Sequence, residues 1–239
     1  MAQAFILGCS HAAGCEMASE PGLEFADDEA KEYFEASNSY PALIAKGLGY
    51  TPLNYALTGS SNDSMFRIFL TLINQIKPND LVIACWTGVD RTEVLHQNKF
   101  SWVQISSAIG LRYHPGKYLL SGYPTGKISN AEEYEQYAKQ WISFSSEQQG
   151  KLNKTKNILA LNFLCREKQL RVLNFDSFWP VDPDHVTSCD WPVKESFWNW
   201  AKDRKYTLTP YSHYFFEAHE SFANHVLQSL ANKAVTDHV

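Results

Sequence analysis

The sequence predicts an α/β protein in which a parallel sheet is covered by helices on both faces, giving three α/β/α layers. The first observation behind this is the order along the chain: short apolar runs alternate with stretches of helical periodicity, the pattern of parallel crossover units. The second is size. At 239 residues the chain can bury a sizeable core and stays below the length at which cores divide, so residues 1–239 read as a single domain. The third is composition: 44% hydrophobic and 20% charged residues exclude a disordered or collagen-like chain.

The first strand is Phe5-Ile-Leu-Gly8, an apolar run that opens into a tight Gly-Cys-Ser turn. Pro41 to Gly49 has helical character, with Ser39 as cap, Pro41 in the first turn and Gly49 past the end. A second strand follows at Leu53 to Leu57, then the turn cluster Thr58-Gly-Ser-Ser-Asn-Asp-Ser64 and a helix from Met65 to Ile76. Asp80 to Trp86 is the clearest buried strand, bounded by Pro78-Asn79 and Thr87-Gly88. Helical periodicity returns over Ala131 to Ser143 and Lys156 to Glu167, Leu170 to Phe175 supplies another strand, and the last helix is Phe216 to Asn232. Asn98 to Asn130 and Ser177 to Ser196, rich in Tyr, Trp, Pro and Gly, show no sustained period and read as functional or interaction surface.

With 21 Lys and Arg against 26 Asp and Glu, the net charge is −5, which argues against nucleic-acid binding. The N-terminal apolar run lacks a basic flank and is too short for a signal sequence or membrane span, so a cytoplasmic protein without membrane contact is expected. The five cysteines form no CxxC pair and read as reduced thiols; no metal or cofactor is expected. Neither Gly59-Ser-Ser-Asn nor Gly122 to Lys127 has the spacing of a phosphate-binding loop.

In an open α/β sheet the ligand site lies beyond the carboxyl ends of the strands. Three segments stand there: Gly8-Cys-Ser10-His11, Gly59-Ser-Ser-Asn-Asp63 and Trp86-Thr-Gly-Val-Asp90. A serine on a glycine turn at a strand end projects its hydroxyl into the crevice beside backbone N–H groups, so Ser10 is the candidate nucleophile. Such a hydroxyl needs a base. His213, in the loop ahead of the last helix, can reach a strand end, whereas His219, within that helix, is placed for a structural hydrogen bond.

These blocks, with Asn54 to Asn62 at the second strand and His213 followed by His219 and Phe222-Ala223, resemble the SGNH (GDSL-type) serine hydrolases from end to end. The resemblance implies a flavodoxin-like three-layer sandwich and a metal-free esterase, with acetyl groups on sugars among its substrates. It assigns Ser10 as nucleophile and oxyanion donor, Gly59 as second donor and His213 as base. Two departures accompany it. Trp86 to Arg91 has no Asn to serve as third donor, leaving Thr87 or Asn62 for that part. The acid expected three residues before the histidine is replaced by Pro210, leaving a backbone carbonyl, Asp90 or Asp176 to orient the ring. The resemblance extends to phage-associated members through the Trp86-Thr87 strand end and Arg91.

Plainer roles exist for several of these residues. Asn62 and Asp63 are suited to cap the following helix. Asp90, Arg91 and Glu93 read as either a solvated loop or a charged wall of the crevice. Trp179, Trp191, Trp198 and Trp200, with Phe178 and Phe197, read as core or interface, with a carbohydrate-stacking platform as the sharper alternative. Two functions follow: a serine esterase acting on a small-molecule or carbohydrate ester, or a catalytically weak or inactive structural or binding protein of a phage particle with virion proteins as partners.

Overall fold

β1 (Gln3–Gly8) is one of the two central strands of the sheet, with a parallel partner on each side. The computed structural model describes residues 1–96, 101–106, 110–114, 136, 139–141, 143–178, 188–210 and 212–236. Within these residues β1 is flanked by β2 (Thr51–Asn54) and β3 (Leu81–Trp86), and β3 pairs in turn with β7 (Arg171–Asp176). All three pairings are parallel, in the order β2-β1-β3-β7. β3 is buried at every position, as a central parallel strand covered on both faces must be.

Side-chain alternation sorts the sheet into two cores. Ala4, Ile6, Leu81, Ile83, Cys85, Leu173 and Phe175 face one way, against Tyr40, Ile44, Phe197, Trp200, Phe222 and Val226. These last belong to α3 (Tyr40–Gly47), α6 (Phe197–Asp203) and α7 (Phe216–Thr236). Phe5, Leu7, Val82, Ala84 and Trp86 face the other way, against α4 (Asn62–Leu72) and α5 (Glu147–Glu167) through Met65, Ile68, Phe69, Ile158 and Leu161. The three-layer α/β/α sandwich predicted from the alternation is therefore the observed architecture.

Several elements differ from the sequence reading. The segment after β3 folds as an antiparallel meander, β4 (Arg91–His96), β5 (Ser101–Ser106) and β6 (Gly110–His114), so part of the aperiodic stretch from Asn98 is regular sheet. α2 (Asp28–Asn38) was not expected; it buries no residue fully and packs only a short apolar side, Phe34 lying against Phe25 and Phe216, and Asp27 caps it by accepting from Ala30 N at 2.7 Å. The cap of α4 is Ser61, which accepts from Ser64 N, and not Asn62 or Asp63. Ser39 makes no capping bond at α3. The β2 strand ends at Asn54, but Tyr55 and Leu57 still donate to Ile6 and Gly8, which carries the second block alongside β1 to the carboxyl edge. Most of the helix expected over residues 131–143, and Trp179, lie outside the described residues.

Candidate active site

β1 ends at Gly8 and the chain turns at once into the short helix α1 (Ser10–Ala13). A Cβ on Gly8 would lie 2.3 Å from Ala12 Cβ and 3.1 Å from Cys85 Cβ, so only glycine permits this turn beside β3. Ser10 is thereby set at a helix start above the sheet, 5% exposed. Gly59 sits in the neighbouring turn with φ of 77°, which a larger residue would strain. The preceding Thr58 holds this turn to the Ser10 segment, its hydroxyl 2.7 Å from Cys15 Sγ. Neither the Ser10 N–H nor the Gly59 N–H has a protein acceptor among the described residues. Burial pushes the Cys15 thiol up to about 12, so it stays protonated and weakly nucleophilic.

His213 arrives from the far end of the chain, in the loop before α7. Its Nδ1 lies 2.8 Å from Glu16 Oε2. The same carboxylate oxygen accepts a short hydrogen bond from the Thr209 hydroxyl, and that hydroxyl accepts from His213 N at 3.0 Å. Thr209 N donates to His213 O at 2.8 Å, closing a tight loop around the imidazole. Two non-glycine residues at the pair have left-handed backbone, Glu16 itself at φ 69° and Ser212, next to His213, at φ 66°. Such conformations cost on the order of 1–3 kcal/mol each and collect at functional sites.

The Glu16 contact sets the tautomer. A carboxylate on Nδ1 requires the proton there, so in the neutral ring the lone pair is on Nε2, which has no hydrogen-bond partner among the described residues. The expected carboxylates are not used for this. Asp176 is 5% exposed and bound to the buried Lys154 Nζ at 2.5 Å. Asp90 makes no bond to His213 Nδ1, which Glu16 occupies. Nor does a backbone carbonyl orient the ring. The Ser10 hydroxyl and His213 are not hydrogen-bonded to each other.

The wall beside His213 is aromatic. The His11 ring packs edge-on against it at 5.0 Å between centroids, with Phe178 at 4.7 Å and Phe197 and Trp198 each at 5.6 Å. Both His11 nitrogens are buried without a partner. Burial foremost, then the charges of His213, His219 and Arg91, holds His11 well below the ordinary histidine range, so it is neutral. His219 accepts from Tyr40 N at 3.1 Å, the structural bond expected of it, and burial lowers it to about 3. Of the late aromatics, Phe197 and Trp200 are core residues, 0% and 3% exposed. Among the described residues no group of three or more His, Cys, Asp or Glu could hold a metal ion, and no helix is long and apolar enough to cross a membrane.

The third-block residues take different parts. Asn62 is spent on structure: Oδ1 accepts from Thr87 N at 2.9 Å, and Nδ2 donates to Gly88 O at 3.2 Å and Thr87 O at 3.4 Å. It latches the Gly59 turn to the end of β3 and has no proton left for an oxyanion. The Thr87 hydroxyl is buried without a partner among the described residues and is an unspent donor at that strand end. Asp63 accepts from Asn153 and Asn157, at 2.8 and 2.9 Å, and ties α4 to α5.

Sequence reasoning missed Glu16 and Thr209. One signal was available for Glu16: an acid six positions after the candidate nucleophile, just past Gly14, returns to the same strand end.

No protein-family model and no curated protein matches the chain. Among solved structures it is similar to two lipolytic proteins of the G-D-S-L family. The one from Desulfitobacterium hafniense is 10% identical over 96% of this chain and 99% of that one, with a TM-score of 0.48. The one from Veillonella parvula is 8% identical over 95% and 97%, with a TM-score of 0.47. It is also similar to an acetyl xylan esterase from the rumen bacterium Butyrivibrio proteoclasticus, at 10% identity over 98% of this chain and 64% of that one, with a TM-score of 0.48.

Proposed function

We propose that the chain is a serine esterase of the SGNH type that uses Ser10, His213 and Glu16 as its triad. The observation that carries this reading is the 2.8 Å bond between His213 Nδ1 and Glu16, which leaves Nε2 unbonded as a base in the crevice where Ser10 begins its helix. Ser10 Oγ attacks the ester carbonyl and passes its proton to Nε2, while the N–H groups of Ser10 and Gly59 receive the oxyanion. The tetrahedral intermediate collapses as Nε2 returns the proton to the leaving alcohol. Water then repeats the sequence on the acyl-enzyme and releases the acid. Glu16 holds the ring and stabilises the imidazolium formed in each half.

Loss of one oxyanion donor costs on the order of 10²–10³ in rate, so turnover belongs at the slow end unless Thr87 fills the place. Short acyl esters, including acetyl groups on carbohydrates, are the substrates to try first, because the family resemblance carries them. The test is hydrolysis of p-nitrophenyl acetate by the wild type and by Ser10→Ala: turnover that disappears in the variant supports the reading, and equal turnover in both rejects the nucleophile.

One observation favours a second reading, a structural or binding module of a phage particle. The third block lacks Asn, and Asn62, which could have replaced it, is committed to Thr87 and Gly88. Inactivity toward short esters and acetylated sugars, with an unreactive Ser10, favours that module.

A further inference from the structure

Arg91 opens β4 directly after the β3 strand end, and its guanidinium is held from two sides of the crevice. On one side Nη1 donates to the carbonyl of Ser60, the residue after the Gly59 donor, at a long 3.4 Å. On the other, Cζ lies 5.0 Å over the Phe178 ring. That ring is 4.7 Å from His11, which follows Ser10 in the chain and packs against His213. The guanidinium therefore spans from the oxyanion turn to the aromatic wall of the site.

What Arg91 lacks among the described residues is an anion. No carboxylate lies within ion-pair distance of it among the described residues, and its Nε is buried without a partner. Glu93, two positions along the same strand, is spent on Arg67, with both carboxylate oxygens at 2.9 Å. A half-buried cation that meets, among the described residues, one long carbonyl contact and one ring face is costly, and the remaining planar donors match a carboxylate.

We infer that the site takes esters carrying a carboxylate or comparable anionic group, which Arg91 binds. The inference rests on the esterase reading above for its ester and on Arg91 alone for its charge. Three acetyl or acyl probes separate the cases: neutral 4-nitrophenyl acetate, 5-acetoxy-2-nitrobenzoate with the anion on the leaving group, and 4-nitrophenyl monoadipate with the anion on the acyl group. The quantity read is the kcat/KM ratio of each anionic probe to the neutral one. Arg91→Gln is expected to lower that ratio about 10- to 100-fold for at least one anionic probe, and Arg91→Lys to restore part of it. A ratio unchanged in both variants overturns the inference while leaving Ser10-dependent hydrolysis, and hence the esterase reading, intact. Should no probe be hydrolysed, the esterase reading fails, and calorimetry still decides on the charge. Ser10→Ala is expected to bind 4-nitrophenyl monoadipate or 5-acetoxy-2-nitrobenzoate at least 10-fold more tightly than Ser10→Ala/Arg91→Lys and Ser10→Ala/Arg91→Gln do, and equal affinities refute it.

Discussion

Glu16 and His213, 197 positions apart in sequence, meet as a 2.8 Å carboxylate–imidazole pair. The acid stands six residues after the candidate nucleophile, whereas the SGNH resemblance places it three residues before the histidine. The pair does for the ring what the missing acid would do, from the opposite end of the chain.

Glu16→Gln keeps the shape but lets the amide donate to Nδ1, which favours the tautomer with its proton on Nε2. Activity on p-nitrophenyl acetate is expected to fall by about 10²–10⁴ while the melting temperature stays nearly constant. A variant within threefold of wild type would remove Glu16 from the mechanism.

Thr209 bridges Glu16 and the His213 backbone through one hydroxyl. Thr209→Val leaves that backbone N–H and one carboxylate lone pair unsatisfied. Because Thr209 acts through Glu16, the expected signature is a loss in kcat of about tenfold with little change in KM, and a smaller added loss when combined with Glu16→Gln.

Much of this was legible in the sequence, and what was not has physical causes. β1, β3 and β7 declared themselves as apolar runs because a parallel sheet covered on both faces has no polar side. α2 escaped because a helix with no fully buried residue has only a short apolar side to read, and β4 to β6 because three short strands hidden among Tyr, Trp and Gly lack a long period. Ser10, Gly59 and His213 were singled out as candidates through strand-end position and resemblance. Glu16 was not, because the acid just past Gly14 points back to the strand end only through the left-handed backbone at Glu16 itself, which a non-glycine residue does not announce.

Asn62 is a stability residue. Asn62→Ala strips partners from the backbone of Thr87 and Gly88 in a buried setting, which costs about 2–3 kcal/mol and lowers the melting temperature by about 5–10 °C. A change below about 2 °C in a thermal melt would contradict the latch.

Acid should destabilise the fold ahead of ordinary carboxylate titration. His219 is lowered to about 3 and His11 is lowered well below its usual value, so between pH 6.5 and 3 the unfolded chain binds protons at these sites that the native state refuses. The neutral-histidine contribution is complete above pH 6.5 and is lost as pH falls, at about 1.4 kcal/mol per pH unit per histidine. Denaturation midpoints from pH 7.5 to 4.5 should show this decline, and His219→Gln should flatten it. A flat profile above pH 5 in the wild type would show that these rings are not buried neutral.

The most direct test of the account is labelling with a fluorophosphonate followed by peptide mass spectrometry. A single phosphonylated residue, Ser10, is expected, with labelling slowed strongly in His213→Ala and Glu16→Gln. Absence of labelling, or labelling at Ser10 that proceeds equally fast in both variants, would contradict an activated Ser10–His213–Glu16 triad.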